Sequence, residues 1–412
     1  MLVLRLGAMG DVLHALPAVA LLRRMVPSCE IGWVIEERWH ELLSSRGLEA
    51  IRNQASLDPV PALSPEQPLV NRIHLVNTRA WRGHVLSLRV WGEMQRARRA
   101  VRRVVYEAAL DFQGAWKSAI LSAGSGAGKR VGFAKPREPG AGWFYNQRVE
   151  IGRASASHVI EQNVSLLLSA ITGGTRATAS VEDSGNCCQH GVPKRGTLSP
   201  HRLSHLSSAA FREGEAPVEA PPLPVDPTLE DWADRQLRQE GLAEREFAII
   251  NPGTGWKAKS WPAERYGEVA RGLGRTGMRS VVNFGPDEAG LAQDVVAASG
   301  GAAQARRYTI GELIAITRRA RLFVGGDTGP MHLAAALRIP VVAVFGPTNP
   351  ARNGPYATAA EVLRSPESVT NHSRRTECDK AMLSITADVV LAAARSLLER
   401  TVAPAGENAP HG

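Results

Sequence analysis

Apolar and polar positions fall in blocks along this chain. Short apolar runs closed by glycine, aspartate or asparagine recur at residues 2–6, 30–35, 72–77, 108–111 and 130–132, and they predict buried strands. Helical spacing of apolar residues fills the intervals at 15–25, 93–105, 116–123 and 158–170. The same rhythm returns later in the chain. Strands are predicted at 247–251, 279–284, 321–325 and 341–345, with helices at 229–239, 263–274, 287–298, 310–319, 331–337 and 386–399. Strand–helix alternation of this kind predicts an α/β protein with mostly parallel sheets covered by helices on both faces.

The rhythm breaks once. Residues 1–172 form a first block and residues 228–402 a second. Between them, 173–227 is rich in Ser, Gly, Pro, His and Arg and ends in Ala216-Pro217-Val218-Glu219-Ala220-Pro221-Pro222-Leu223-Pro224. That stretch predicts a disordered insertion or linker, and 403–412 a disordered tail. Two α/β blocks leave a cleft between facing sheet edges, suited to a ligand whose parts must be held together.

Composition narrows the class. In 412 residues, 44% hydrophobic and 22% charged, no run reaches the ~20 apolar residues of a membrane span. Met1 leads directly into the first strand, which predicts a cytosolic product without a signal peptide. Cys29, Cys187, Cys188 and Cys378 show no paired spacing, so neither zinc nor a disulfide framework is expected. The net charge of +9 is uneven: residues 1–172 hold 22 Lys and Arg against 14 Asp and Glu. Arg79 and Arg82 form one cluster, and Arg96, Arg98, Arg99, Arg102 and Arg103 another on one predicted helix. An anionic partner fits this excess. Aromatics make up only 5%, with no RNA-binding signature, which argues against single-stranded nucleic acid, and no nucleic-acid partner is expected. Membrane association is expected to be peripheral and salt-sensitive, since charge is the attraction visible in the sequence.

Candidate chemistry collects where strands end. Asp327-Thr328-Gly329-Pro330-Met331-His332 joins a strand to a helix with proline in its first turn, placing the Thr328 and Gly329 amides at a helix N-terminus. This is either an anion site suited to pyrophosphate or a plain capped turn. Near the N-terminus, Gly7-Ala8-Met9-Gly10-Asp11 follows the first strand as a tight turn and presents Asp11 at the sheet edge. An acid there suits a general base better than a phosphate cradle. Asn251-Pro252-Gly253-Thr254-Gly255-Trp256-Lys257-Ala258-Lys259 projects lysines toward an anion, or forms a solvated loop. Glu288, after Gly285-Pro286-Asp287, either accepts from a ribose hydroxyl or belongs to a helix start. The 124–130 stretch fails the phosphate-loop spacing, and no Asp-x-Asp metal clamp occurs.

Taken together, these motifs stand in a known order. Gly10-Asp11 with His14-Ala15-Leu16-Pro17, Asp111-Phe112-Gln113-Gly114 with Lys117-Ser118, Phe144-Tyr145-Asn146, Lys259-x-Trp261-Pro262, Asp327-Thr328-Gly329 with His332, and Phe345-Gly346-Pro347-Thr348 follow one another. The set resembles the ADP-heptose:lipopolysaccharide heptosyltransferases of glycosyltransferase family nine, nearest to the heptosyltransferase I branch, over residues 1–172 and about 225–400. The resemblance implies a GT-B fold of two Rossmann-like domains and inverting, metal-independent transfer without a cofactor. ADP-heptose would be the donor and Kdo–lipid A the acceptor, on the cytoplasmic face of the inner membrane. It implies Asp11 as general base. Lys259, Thr254, Glu288, Asp327, Thr328, Gly329 and His332 would meet the donor, and Gly10, Arg79, Arg82, Gln113 and Lys117 the acceptor. The chain departs from the pattern at about 175–222, at Ala80 and Gly83, and at Gly255-Trp256. Three alternatives stay open: heptosyltransferase II or another NDP-sugar transferase, an acceptor-independent epimerase or hydrolase, and a non-catalytic sugar-nucleotide binder.

Overall fold

The computed structural model describes residues 1–54, 60–78, 88–151, 158–172, 219–371 and 380–401. Its strands form two six-stranded sheets, parallel throughout. The first holds β1 (Leu2–Leu4), β2 (Gly32–Glu36), β3 (Arg72–Val76), β4 (Ala108–Asp111), β5 (Lys129–Phe133) and β6 (Gln147–Val149), in spatial order β3-β2-β1-β4-β5-β6. Its helices are α1 (Met9–Met25), α2 (Leu48–Gln54), α3 (Leu88–Arg102), α4 (Trp116–Gly124) and α5 (Val159–Thr172).

The second sheet holds β7 (Phe247–Asn251), β8 (Arg279–Asn283), β9 (Ala303–Arg306), β10 (Leu322–Gly326), β11 (Val341–Phe345) and β12 (Ala360–Arg364), ordered β12-β11-β10-β7-β8-β9. With it run α6 (Pro227–Gln239), α7 (Ala263–Gly274), α8 (Ala289–Ser299), α9 (Ile310–Arg319), α10 (Gly329–Ala336), α11 (Pro350–Asn353) and α12 (Ala387–Thr401). Each sheet reverses its strand order once, between β1 and β4 in the first and between β7 and β10 in the second. The crevice at the carboxyl ends of such a pair is where open α/β sheets take ligands.

Burial explains which elements are legible. The inner strands β1, β4, β7, β10 and β11 are buried along their whole length, so they read as unbroken apolar runs. The strands that were not predicted, β6, β9 and β12, are all at sheet edges and carry polar residues such as Gln147, Arg148, Gln304 and Glu361.

Helix α1 is apolar nearly all round because it lies between its own sheet, α5 and the second half's α10. Leu313, Ile314 and Leu333 of the second half belong to the same buried cluster as Val12, Leu16 and Val19. The two halves thus share an apolar core at their junction.

Two expectations need correcting. Met9, Gly10 and Asp11 are not a separate turn: α1 starts at Met9 and holds Asp11 in its first turn. The linker expected up to residue 227 is built into the fold from 219 onward. Leu223 is buried in the first half's core, and the Val225 amide donates to the Pro65 carbonyl at 2.8 Å. Arg318 donates to the Pro224 carbonyl at 2.8 Å, and Asp226 caps α6 through the Thr228 amide at 2.8 Å.

Candidate active site

Each switch point carries an aspartate paired with a cation. In the first half, the strand continuing from β1 buries Arg5, whose guanidinium meets Asp11 Oδ1 at 2.6 Å. Arg5 also donates through Nε to the Asp11 carbonyl at 3.2 Å and through Nη1 to the Phe112 carbonyl beyond β4. The Ala8 amide donates to Asp11 Oδ2 at 3.1 Å. Helix start, strand end and β4 loop are thereby fastened around one carboxylate. That carboxylate still has 32% of its side-chain surface open to solvent. A carboxylate has about four lone-pair sites, so these contacts leave acceptor capacity on the open side. The Arg137 guanidinium stands 4.0 Å from Oδ2 and is itself exposed.

The loop after β4 is built on a buried acid. Asp111 Oδ1 accepts from the Gln113 and Gly114 amides at 2.8 and 3.1 Å, and Oδ2 from the Tyr145 hydroxyl at 2.7 Å. Burial raises the Asp111 pKa, and these hydrogen bonds, with one from Ser118, oppose the rise. The Tyr145 pKa is raised by burial and by Asp111 beside it. This contact accounts for the joint presence of the Asp111 and Tyr145 motifs. Gln113 spends its side-chain oxygen on the Leu6 amide at 2.8 Å, and Lys117 donates to Thr78 Oγ1 at 2.9 Å. Both fix loops around the switch point. Arg79 and Arg82 lie outside the described residues.

In the second half, Asp327 directly follows β10 and Lys259 closes the loop after β7. Lys259 Nζ meets Asp327 Oδ2 at 2.5 Å and lies 4.6 Å from the centre of the Trp256 ring. On the other oxygen, His332 Nε2 stands 3.4 Å from Asp327 Oδ1. Burial would raise the Asp327 pKa, but His332 and Lys259 outweigh it and hold the carboxyl well below the usual carboxylate range. Thr328 is the N-cap of α10 with extended backbone, and Gly329 and Pro330 open the helix. The Thr328 and Gly329 amides therefore lie at the helix N-terminus, where the helix itself supplies no acceptor. Thr254 donates to the Trp256 carbonyl at 2.7 Å and lies 3.2 Å from Ser260 Oγ, which shapes the lysine loop. Glu288 accepts from the Gly285 amide at 2.8 Å, and its carboxylate crowds the space a Cβ on Gly253 would fill. The Thr348 hydroxyl, buried beyond β11, has no hydrogen-bond partner among the described residues.

The two switch points meet. His14, one turn along α1 from Asp11, places Nε2 3.0 Å from Nδ1 of His332, one turn into α10. With His332 donating from Nε2 to Asp327, its Nδ1 accepts from His14, and Lys259 donates to the same carboxylate, so donation from both sides converges on Asp327. Burial lowers the His14 pKa well below the ordinary value, and His332 and His158 lower it further. Gly10 is required sterically, because a Cβ there would come within 2.5 Å of the His332 ring. Gly329 is its counterpart, since a Cβ there would come within 2.7 Å of Met9 Sδ. The two glycines let the N-termini of α1 and α10 touch. Gly10, expected at the acceptor, is therefore turned toward the domain junction.

Sequence reading missed Arg5, Arg137 and the role of His14. Arg5 was hidden in an apolar strand, although an arginine flanked by Leu4 and Leu6 is itself a signal of a buried partner. Arg137 sits in a loop without motif spacing. Among the described residues, no group of three or more His, Cys, Asp or Glu is arranged to hold a metal ion.

The glycosyltransferase family 9 (heptosyltransferase) profile matches residues 94–188 and 201–383. Lipopolysaccharide heptosyltransferase 1 of Pseudomonas aeruginosa is 26% identical over 371 residues, 88% of this chain and 83% of that protein. The enzyme of the same name from Escherichia coli K12 is 24% identical over 89% of this chain and 93% of its own length. A heptosyltransferase of Escherichia coli solved with ADP-2-deoxy-2-fluoro heptose shares the fold, with TM-score 0.63 and 22% identity over 97% of this chain and 99% of that one. A family 9 glycosyl transferase from Veillonella parvula gives TM-score 0.68 at 19% identity over 97% of both chains. The shared architecture is GT-B, two Rossmann-like sheets facing one cleft.

Proposed function

The chain belongs to glycosyltransferase family 9, the heptosyltransferase family, and from that premise we propose that it transfers heptose from ADP-heptose to Kdo of the lipid A inner core, with inversion and without a metal or other cofactor. The observation that carries this reading is the pairing of an open carboxylate, Asp11, with a buried Lys259–Asp327 site on the facing domain.

Asp11 takes the proton of the acceptor hydroxyl as that oxygen attacks C1 of the heptose. The bond from C1 to the diphosphate oxygen breaks, and ADP leaves with the electron pair. Arg5 and the Ala8 amide hold the carboxylate in one orientation throughout. The charge that grows on the diphosphate is met by Lys259 and by the Thr328 and Gly329 amides at the α10 N-terminus. Asp327 accepts from heptose hydroxyls, and His332 orients it. Glu288, beside Gly253 at the end of β8, accepts from the ribose, and Thr254 shapes the loop that carries Lys259. Donor binding has to draw Lys259 partly away from Asp327, so between turnovers the site is neutralised by its own ion pair.

For the acceptor, Arg137 stands at the lip beside Asp11 and suits an acidic sugar, with Arg79 and Arg82 meeting further phosphate. Gln113 and Lys117 support this side by fixing its loops. No helix among the described residues is long and apolar enough to cross a membrane. The lipid-linked acceptor places the enzyme peripherally on the inner membrane's cytoplasmic face.

The test is ADP release from ADP-heptose with and without Kdo-bearing lipid A, with the lipid read by mass spectrometry. Acceptor-dependent release and a one-heptose mass gain are expected. Release that ignores the acceptor would point to a hydrolase or epimerase instead.

A further inference from the structure

The outward face of α4 is not that of an ordinary βα helix. Trp116, Ile120 and Ala123, spaced to share one face, are all exposed, where a solvent-facing stripe is normally polar. Next to it, the 3₁₀ turn Ala141–Phe144 holds Trp143 against Trp116 in a T-shaped contact with ring centres 6.0 Å apart. Trp143 is 77% exposed, Ile120 45% and Trp116 38%. An open cluster with two tryptophans marks an interaction surface.

Its surroundings state the partner's chemistry. Arg98 and Arg102 of α3, both exposed, reach over the far end of α4. Cβ atoms built on Gly124 and Gly126 would lie 3.4 Å from Arg98 Cγ and 3.6 Å from Arg102 Nε. On the near side, exposed Arg148 donates to the Gly142 carbonyl at 3.0 Å, beside Trp143. The acid within the patch, Glu138, is engaged by the Trp116 amide at 2.7 Å. Tryptophans flanked by arginines match a bilayer interface, where indole rings settle at headgroup level and basic groups meet anionic lipid. The patch also adjoins the catalytic lip. The Glu138 amide donates to the Gly114 carbonyl at 2.9 Å, and neighbouring Arg137 faces Asp11.

We propose that this Trp116–Ile120–Trp143 lip, with its arginine flanks, seats the protein on an anionic phospholipid surface and holds the Asp11 edge of the cleft toward it. The proposal rests on the reading of a lipid-linked acceptor. It gives the membrane contact an apolar component that composition alone did not disclose, so part of the attachment should survive salt.

The experiment is flotation of the full chain with phosphatidylethanolamine–phosphatidylglycerol vesicles, compared with pure phosphatidylcholine vesicles, for wild type, Trp143→Gln and Arg98→Gln/Arg102→Gln. Trp143 projects into solvent, so its replacement leaves the core untouched. Wild type should float with the anionic vesicles. Trp143→Gln should bind about fivefold to tenfold more weakly, as expected for losing one large apolar side chain from the contact. The double arginine variant should lose binding mainly at low salt, where screening is weak. Trp143→Gln floating like wild type would overturn the proposal. So would a wild-type dimer in sedimentation that Trp143→Gln dissolves, because the face would then belong to a second copy. Transfer to a water-soluble, delipidated Kdo acceptor reads the chemistry separately, and Trp143→Gln should retain it. If no variant transfers sugar, the catalytic reading fails while flotation still decides the lip.

Discussion

The two switch points are the same piece of topology used in two ways. Each sheet reverses its strand order once, and each sets an aspartate against a cation at the reversal. Asp11 and Arg5 meet at 2.6 Å, Asp327 and Lys259 at 2.5 Å. What differs is which member is buried. In the first half the arginine is sunk in the fold and the aspartate is open at 32%, so the carboxylate is what a ligand meets. In the second half both partners are nearly enclosed, at 13% for the lysine and 8% for the aspartate, and His332 covers the second carboxylate oxygen. An open acid held from behind suits proton removal. A closed ion pair beside a helix N-terminus suits binding of a charged donor. Topology places both pairs, and burial decides which group each one presents to a ligand.

The largest way to break this symmetry is at Asp11. Asp11→Asn should lower turnover by at least ~100-fold, the low end for an acid–base group, with the fold unaltered by circular dichroism. Steady-state rates within a few-fold of wild type would remove the general-base role.

Next comes Lys259. Lys259→Met strands a buried carboxylate and should cost about 3 kcal/mol in chemical denaturation. The matching Arg5→Met variant leaves Asp11 open to water and should cost less on the Asp11 side, although Arg5 also loses its carbonyl contacts. Equal sensitivity to added salt in the two variants would contradict the contrast between an open and a closed pair.

Acidification sharpens the comparison further. Burial lowers the pKa of His158 to about 4, and that of His14 falls by the same cause. Both stay neutral in the folded protein while the unfolded chain takes up protons below about 6.5. Stability should therefore be full above that value and fall as pH drops toward 4, by up to about 3 kcal/mol from His158 and further from His14 in the same direction. Asp327 has the opposite protonation preference. Its depressed value means that its contribution is present above about 4 and is lost only in stronger acid. Thermal melts at pH 7.5 and 5 should show the decline, and His158→Gln should flatten it. An unchanged slope in that variant would assign the loss elsewhere.

The smallest expected effect is at the bridge between the sites. His14→Phe removes the 3.0 Å contact to His332 and should cost about 1 kcal/mol, seen as a raised KM for donor with kcat little changed. A drop in kcat alone would place His14 with the base instead.

Much of this was legible in the sequence. Strands β4, β7 and β11 match their predicted limits because inner parallel strands are apolar on both faces. Edge strands β6, β9 and β12 escaped because one side of each is free of neighbours and tolerates Arg148, Gln304 or Glu361. The start of α1 was obscured by Gly7 and Gly10, which read as a turn. Gly10 instead serves a packing contact with His332, far away along the chain. Asp11, Lys259 and Asp327 were readable as polar residues delivered by strand ends. Arg5, Arg137 and the His14–His332 contact were not, since each gains its meaning from a partner that only tertiary structure supplies.

The division of labour can be tested in one comparison: calorimetric titration of ADP into Asp11→Asn and Lys259→Met side by side with wild type. The account predicts that Asp11→Asn binds ADP as wild type does and that Lys259→Met loses most of the affinity. Weakened binding in Asp11→Asn with full affinity in Lys259→Met would contradict it and reverse the roles of the two switch points.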